Sequence, residues 1–126
     1  MSLSNTFETR TLQWLFTTTA VTRPTVWYLA LFTVAPGEGG GGTECSGTSY
    51  ARQSFTFTVA GDTATNAANV EFPVAGSSWG TLVAVGVFDA LTGGNLIAYG
   101  NLTTSKAIDT GDVFRVPAGD LDITLN

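Results

Sequence analysis

From residue 25 onward the chain is a succession of short runs, apolar or alternating, each closed by a cluster of Gly, Pro, Asn or Asp. Such a rhythm leaves no room for long helices and requires a β-rich fold. Val26 to Val34 (VWYLALFTV) and Thr81 to Phe88 (TLVAVGVF) are apolar on both faces, as expected of strands covered on two sides. Phe55, Phe57 and Val59 alternate with Thr56 and Thr58. Val70, Phe72 and Val74 alternate too, with Pro73 placing that strand near an edge. Leu96 to Leu102, Lys106 to Ile108 and Val113 to Val116 are further strand candidates, and Leu121, Ile123 and Leu125 close the chain in alternation with Asp122 and Thr124. Turns are expected at Gly61-Asp62 with the Ala/Asn/Thr cluster after it, at Thr110-Gly111-Asp112 and at Pro117 to Asp120. Asp89 to Asn95 (DALTGGN) carries the Gly-Gly pair of a hairpin. The count comes to about eight strands, which predicts an all-β, antiparallel β-sandwich of jelly-roll type, with an immunoglobulin-like sandwich as the alternative. Expected core positions are Leu29, Leu31, Phe55, Phe57, Val70, Phe72, Val83, Val85, Val87, Leu121 and Ile123.

The first 20 residues are different. Phe7, Thr11, Trp14 and Leu15 share one face at helical spacing, flanked by Leu12 and Phe16. Asn5 is the expected cap, with Glu8 in the capping-box position, and Thr17-Thr18-Thr19 ends the helix before Arg23-Pro24 turns the chain into extended structure. The organisation is thus one domain, 1–126, made of a helical segment (1–20) and a β-sandwich (25–126). The helix face is too apolar for water, so it docks on the sheet or on a neighbouring subunit. Phe7, Leu12, Trp14, Leu15 and Phe16 form the candidate assembly surface.

Charge content sharpens that reading. Only 12% of the residues are charged, against about 25% in ordinary soluble domains. Little electrostatic repulsion opposes association, and a homo-oligomer, with a homotrimer as its expected form, follows. The net charge of −5 and the absence of any basic run exclude nucleic acid as a partner. No apolar stretch is long enough to insert in a membrane, and nothing resembles a signal peptide, so intracellular synthesis is expected. Between Ala35 and Thr48 lies PGEGGGG. Residues Gly37 to Gly42 are costly to order and are expected to be mobile until a partner binds.

The chemistry available is sparse, and no enzyme activity, catalytic residue, cofactor or metal is expected. The chain has no His, which removes the commonest base near neutral pH and the commonest metal ligand. Cys45 has no His to activate it, and Glu44 beside it raises rather than lowers its pKa. The Gly-rich stretch lacks the Lys-Ser/Thr pair of a phosphate-binding loop. Asp109 with Asp112, and Asp120 with Asp122, follow turn patterns better than they follow a glycosidase pair or a calcium loop. Trp14, Trp27 and Trp79 would be a sugar platform only if they came together on the surface; aromatic residues inside apolar runs are more often core.

The segments SNTFETRTLQWLFT, LALFTVAP with its Gly-rich loop, SGTSYARQ, the Trp79-Gly80-Thr81 stretch before GVFDA and the final AGDLDITL resemble small bacteriophage virion proteins usually labelled tail fibre proteins. The likeness extends over nearly the whole chain, except that at Cys45 relatives carry an aliphatic residue. It implies a structural protein on the virion surface, made in the bacterial host cytoplasm. Partners would then be further copies of the chain, other virion proteins such as the major capsid protein or a tail component, and a host surface glycan. A fibre shaft is long, and this chain has neither a heptad seam nor a repeat. A compact domain points first to a capsid decoration (cement) protein, with a tail fibre or tail appendage protein as the alternative.

Overall fold

The computed structural model describes residues 1–125. It is mostly β, all strand pairs are antiparallel, and one helix is present among the described residues. In chain order the elements are β1 (Ser2–Leu3), α1 (Asn5–Phe16), β2 (Tyr28–Val34), β3 (Thr43–Glu44), β4 (Gln53–Ser54), β5 (Phe57–Ala60), β6 (Thr63–Asn66), β7 (Val70–Glu71), β8 (Gly80–Phe88), β9 (Leu96–Ile108), β10 (Arg115–Val116) and β11 (Asp122–Thr124). They pair as one large sheet, β1-β9-β8-β2-β3 with β4 also on β2, a ribbon β10-β7, and a small sheet β11-β6-β5.

The two runs that are apolar on both faces lie at the centre of the large sheet. β2 and β8 pair from Tyr28↔Phe88 to Phe32↔Ala84. Leu29, Leu31, Val85 and Val87 point into the main core, while Ala30, Phe32 and Ala84 form a small second cluster on the other face with Val83 and Phe88. Gly86 lies under that cluster: a Cβ there would sit 2.8 Å from the Phe32 ring and 3.0 Å from Leu96. The main core also takes Val70, Phe72, Trp79, Phe114, Val116 and Leu121, so side chains from all three sheets meet in it. Its centre is aromatic. Tyr50 stacks on Phe72 and meets Trp79 edge-on at 5.4 Å between centroids, and Phe72 meets Phe114 edge-on at 6.0 Å. The Trp79 indole N–H donates to Thr48 O at 3.0 Å. Gly47, next to Thr48, has φ +151° and lies against Trp79; a Cβ there would come within 2.6 Å of the indole.

Several boundaries differ from the sequence reading. The cap of α1 is Ser4, not Asn5. Its Oγ accepts from Phe7 N at 3.4 Å and donates to Leu96 O at 2.6 Å, so one hydroxyl both caps the helix and pins it to β9. The expected strand over Phe55, Phe57 and Val59 breaks into β4 and β5; Phe55 and Phe57 are half-buried and Val59 lies outside. Val83 and Ile123 are also only half-buried. Pro73 ends β7 after Glu71, and Val74 is exposed. The expected turn after Asp62 instead contains β6, anchored by the buried Asn66. The Asn66 amide donates to Ala68 O and Pro117 O and its carbonyl accepts from Leu121 N, all at 2.9 Å. Lys106 to Ile108 is the end of the long strand β9 rather than a strand of its own.

The Gly-rich loop has an internal partner. Gly37 and Gly40 exchange backbone hydrogen bonds at 3.0 Å, and Glu38 O accepts from Asn5 N at 2.8 Å. The sequence reading leaves this loop to an outside partner, whereas here the chain's own helix start holds it.

Trp79→Ala should destabilise the domain by about 3–5 kcal/mol, because it empties the aromatic centre and removes one of the two hydrogen bonds to Thr48 O, leaving the one from Gly76 N. Denaturant unfolding followed by fluorescence checks this. A loss below about 1 kcal/mol would show that the aromatic centre is not the keystone of the core.

Candidate assembly surface

Helix α1 is held at one end. Phe7 is 7% exposed and belongs to the main core, with the Arg10 guanidinium 4.7 Å above its ring. Thr11 is half-buried and returns its hydroxyl to Phe7 O at 2.7 Å. Beyond it the helix leaves the body of the protein. Leu12, Trp14, Leu15 and Phe16 are 57, 70, 55 and 76% exposed. Of the five residues expected at the assembly surface, four are exposed, and Phe7 must be removed from the set, since it anchors the helix instead. Residues 17–26 continue as an extended, mostly exposed strap with no regular structure, rejoining the sheet at Trp27 and β2.

A groove of about 400 Å³ runs beside the anchored half of α1. Phe7 and Thr11 form one wall, Trp27, Phe57 and Ile123 the floor and far side, and exposed Val59 and Leu125 the rim. Trp27 meets Phe57 edge-on at 6.5 Å. The lining is mainly apolar, and Asp62 is its one charged residue. Nothing in the sequence pattern indicates this groove, because it joins residues from the helix, the strap and five separate strands.

The three tryptophans do not make a platform. Trp79 is 2% exposed in the core, Trp27 is half-buried at the groove and Trp14 stands on the helix tip. The first carboxylate pair serves a turn, in which the Asp112 carboxylate accepts from Asp109 N at 2.9 Å; Asp120 and Asp122 are exposed, and the backbone N–H of Asp120 donates to Pro117 O in another turn. Asp89 accepts from Asn95 N at 2.7 Å and Nδ2 at 3.1 Å, closing the Gly-Gly hairpin. Burial raises the Asp89 pKa, but those hydrogen bonds outweigh it and hold the carboxyl below the usual range.

Sequence reasoning missed a second polar cluster, inside SGTSYARQ. Arg52 is buried. Its Nε and Nη2 donate to the Glu44 carboxylate at 3.0 and 2.8 Å, and Nη1 donates to Ala90 O and Gly93 O at 2.9 and 2.8 Å. The guanidinium lies 3.8 Å over the Phe88 ring, and Tyr50 OH donates to Glu44 at 2.6 Å. Burial pushes the Glu44 pKa up, but the hydrogen bonds from Arg52 and Tyr50 and the Arg52 charge together bring it below its ordinary value. Cys45, next to it, is buried. Desolvation and then the Glu44 charge push its thiol up to about 12, so it is protonated at neutral pH.

With this geometry in hand, comparison with known proteins decides the family. Residues 2–124 match the family described as Podophage GP4 fiber I protein gp80. The chain belongs to this family. It is therefore a virion-associated, phage fibre-type protein, and the gp80 family supports the tail-fibre alternative over the capsid-decoration reading that compactness put first. Domain size misled there, because a fibre can draw its length from assembly as well as from one long chain. No curated protein sequence matches this gp80-family chain.

Glu44 contributes stability that is fully present above its unfolded pKa, ordinarily 4.5, and that is lost as pH falls through its lower folded value. The wild-type melting temperature should therefore drop below about pH 4.5, and Glu44→Gln should flatten that drop. At pH 7 the same variant should cost about 2–3 kcal/mol, less than a fully buried pair, because 27% of the Glu44 side chain is exposed. Thermal melts across pH 3 to 7 give both numbers. Cys45→Ser should leave assembly unchanged, as read by light scattering.

Proposed function

We propose that this chain is a non-enzymatic structural module of a phage tail fibre, and that it self-associates through the outer half of α1. The observation that carries the reading is the cluster Leu12, Trp14, Leu15 and Phe16, exposed on a domain that has other ways to bury apolar surface and uses them at Phe7. Scattered exposed apolar residues are normal, but four large ones within the last five residues of a 12-residue helix, Leu12, Leu15 and Phe16 on one face and Trp14 on another, mark a contact site. Aromatic residues are also what the centres of protein interfaces are made of. Low charge content points the same way.

Closed symmetric oligomers are the common solution for soluble assemblies, and three copies suit the threefold axis of a fibre. In this reading the ribbon β10-β7 and the small sheet β11-β6-β5 act as the second layer of a sandwich over the large sheet, which leaves α1 outside as the free element. Family membership supports the fibre location; the capsid-decoration reading has no comparable support.

Light scattering on the purified chain should give three times 13.1 kDa. Trp14→Ser with Phe16→Ser should bring the mass back to 13.1 kDa while the β circular dichroism signal and melting temperature stay within a few degrees of wild type, since both residues lie outside the core. A wild-type chain that remains at 13.1 kDa at every concentration would overturn the reading.

A further inference from the structure

The exposed half of α1 and the groove beside its anchored half are two different apolar surfaces on one rigid module. They cannot satisfy each other within a chain. Phe7 and Thr11 are part of the groove wall, and Trp14 lies about 10 Å further along the same straight helix. We infer that the groove receives the Leu12–Phe16 end of α1 from a second copy, so that copies join head to tail. The inference rests on the self-association proposed above and specifies its geometry.

Three features favour a second copy as the occupant. The first is area. An aromatic side chain carries about 150–250 Å². At the exposures observed, the four helix residues present on the order of 500 Å², a large part of the roughly 800 Å² each partner contributes to a standard interface. The second is shape and chemistry. A cleft of about 400 Å³ with an apolar floor and exposed aliphatic rim, Val59 and Leu125, fits large apolar side chains entering end-on. The third is charge. Among the described residues the one ion pair is Arg52–Glu44. Arg23 on the strap makes no ion pair, whereas the exposed Asp62 lines the groove.

A contact between two different patches is heterologous. It closes into a ring if the rotation between copies allows and otherwise continues as a filament. Either way the assembly is longer or wider than one compact domain, which supplies a dimension the chain itself lacks.

A mixing experiment tests this directly. Trp14→Ser with Phe16→Ser disables the helix end, and Val59→Lys with Leu125→Lys disables the groove rim. All four positions are exposed, so the β circular dichroism signal should be retained. Each variant alone should sediment as a monomer. Mixed in equal amounts they keep one intact helix end and one intact groove, and should form a two-chain particle of twice 13.1 kDa that grows no further. Asp62→Lys, which leaves the apolar rim in place, should weaken wild-type assembly at least several-fold. If the rim variant assembles like wild type, the head-to-tail contact is wrong and the helices meet each other instead; if the mixture stays monomeric while the wild type assembles, the head-to-tail contact is wrong as well. A wild-type chain that is itself monomeric would instead sink the underlying self-association reading.

Discussion

A guanidinium taken out of water must find its hydrogen bonds inside the protein, and much of this fold is arranged so that Arg52 does. It binds Glu44 on β3 through two nitrogens and two carbonyls of the β8–β9 hairpin through a third. Its flat face rests on Phe88 at the end of β8. Charge-assisted hydrogen bonds of this kind are stronger than neutral ones and demand geometry. One side chain therefore fixes the relative position of the short strands on one flank of β2 and the hairpin beyond β8 on the other. Tyr50 completes the arrangement. Its hydroxyl accepts from Leu31 N and donates to Glu44, while its ring joins Phe72 and Trp79 in the core. The polar cluster and the aromatic centre are thus one connected structure, and the motif SGTSYARQ sits at the joint. Ser49, the one non-Gly residue with positive φ among those described, lies just before Tyr50 and turns the chain so that the ring points inward.

This rigidity allows the helix to be something other than core. A domain whose centre is closed by Phe72, Trp79, Phe114 and Tyr50 does not need Leu12, Trp14, Leu15 or Phe16. Those residues are free for the contact with another chain proposed above. The scarcity of charge has the same logic at the scale of the surface. A surface of Thr, Ser, Asn and Gly leaves few charges to be desolvated in the self-association proposed above.

The central strands were legible in the sequence because β2 and β8 are apolar on both faces, a pattern that only double-sided burial explains. Helix α1 was legible from its 3.6-residue spacing, and the Asp89 to Asn95 hairpin from its glycines. What escaped were features made by distant partners. Ser4 displaced Asn5 as cap because its hydroxyl meets Leu96 O, 92 residues away. β6 hid in a run read as a turn because its Asn66 is satisfied by Pro117 and Leu121. The Arg52 cluster gave no local signal, since its ligands come from 8 to 41 residues away. At the candidate surface the sequence spacing identified the apolar helix but could not tell the buried Phe7 from the exposed four, because that distinction depends on where β9 ends the contact. The groove has no periodicity at all and belongs wholly to tertiary structure.

The one-ended attachment of α1 makes it a lever. Ser4 and Phe7 are its fulcrum, clamped between β9 and the Gly-rich loop through Leu96 O and the Asn5 N–H to Glu38 O bond. Phe16 lies about 18 Å along a 12-residue helix from that clamp. A tilt of about 5° at Ser4 moves the tip by about 1.5 Å, more than an interdigitated apolar contact tolerates. The fine position of a loop of four consecutive glycines thus governs the aim of an aromatic tip on the far side of the helix.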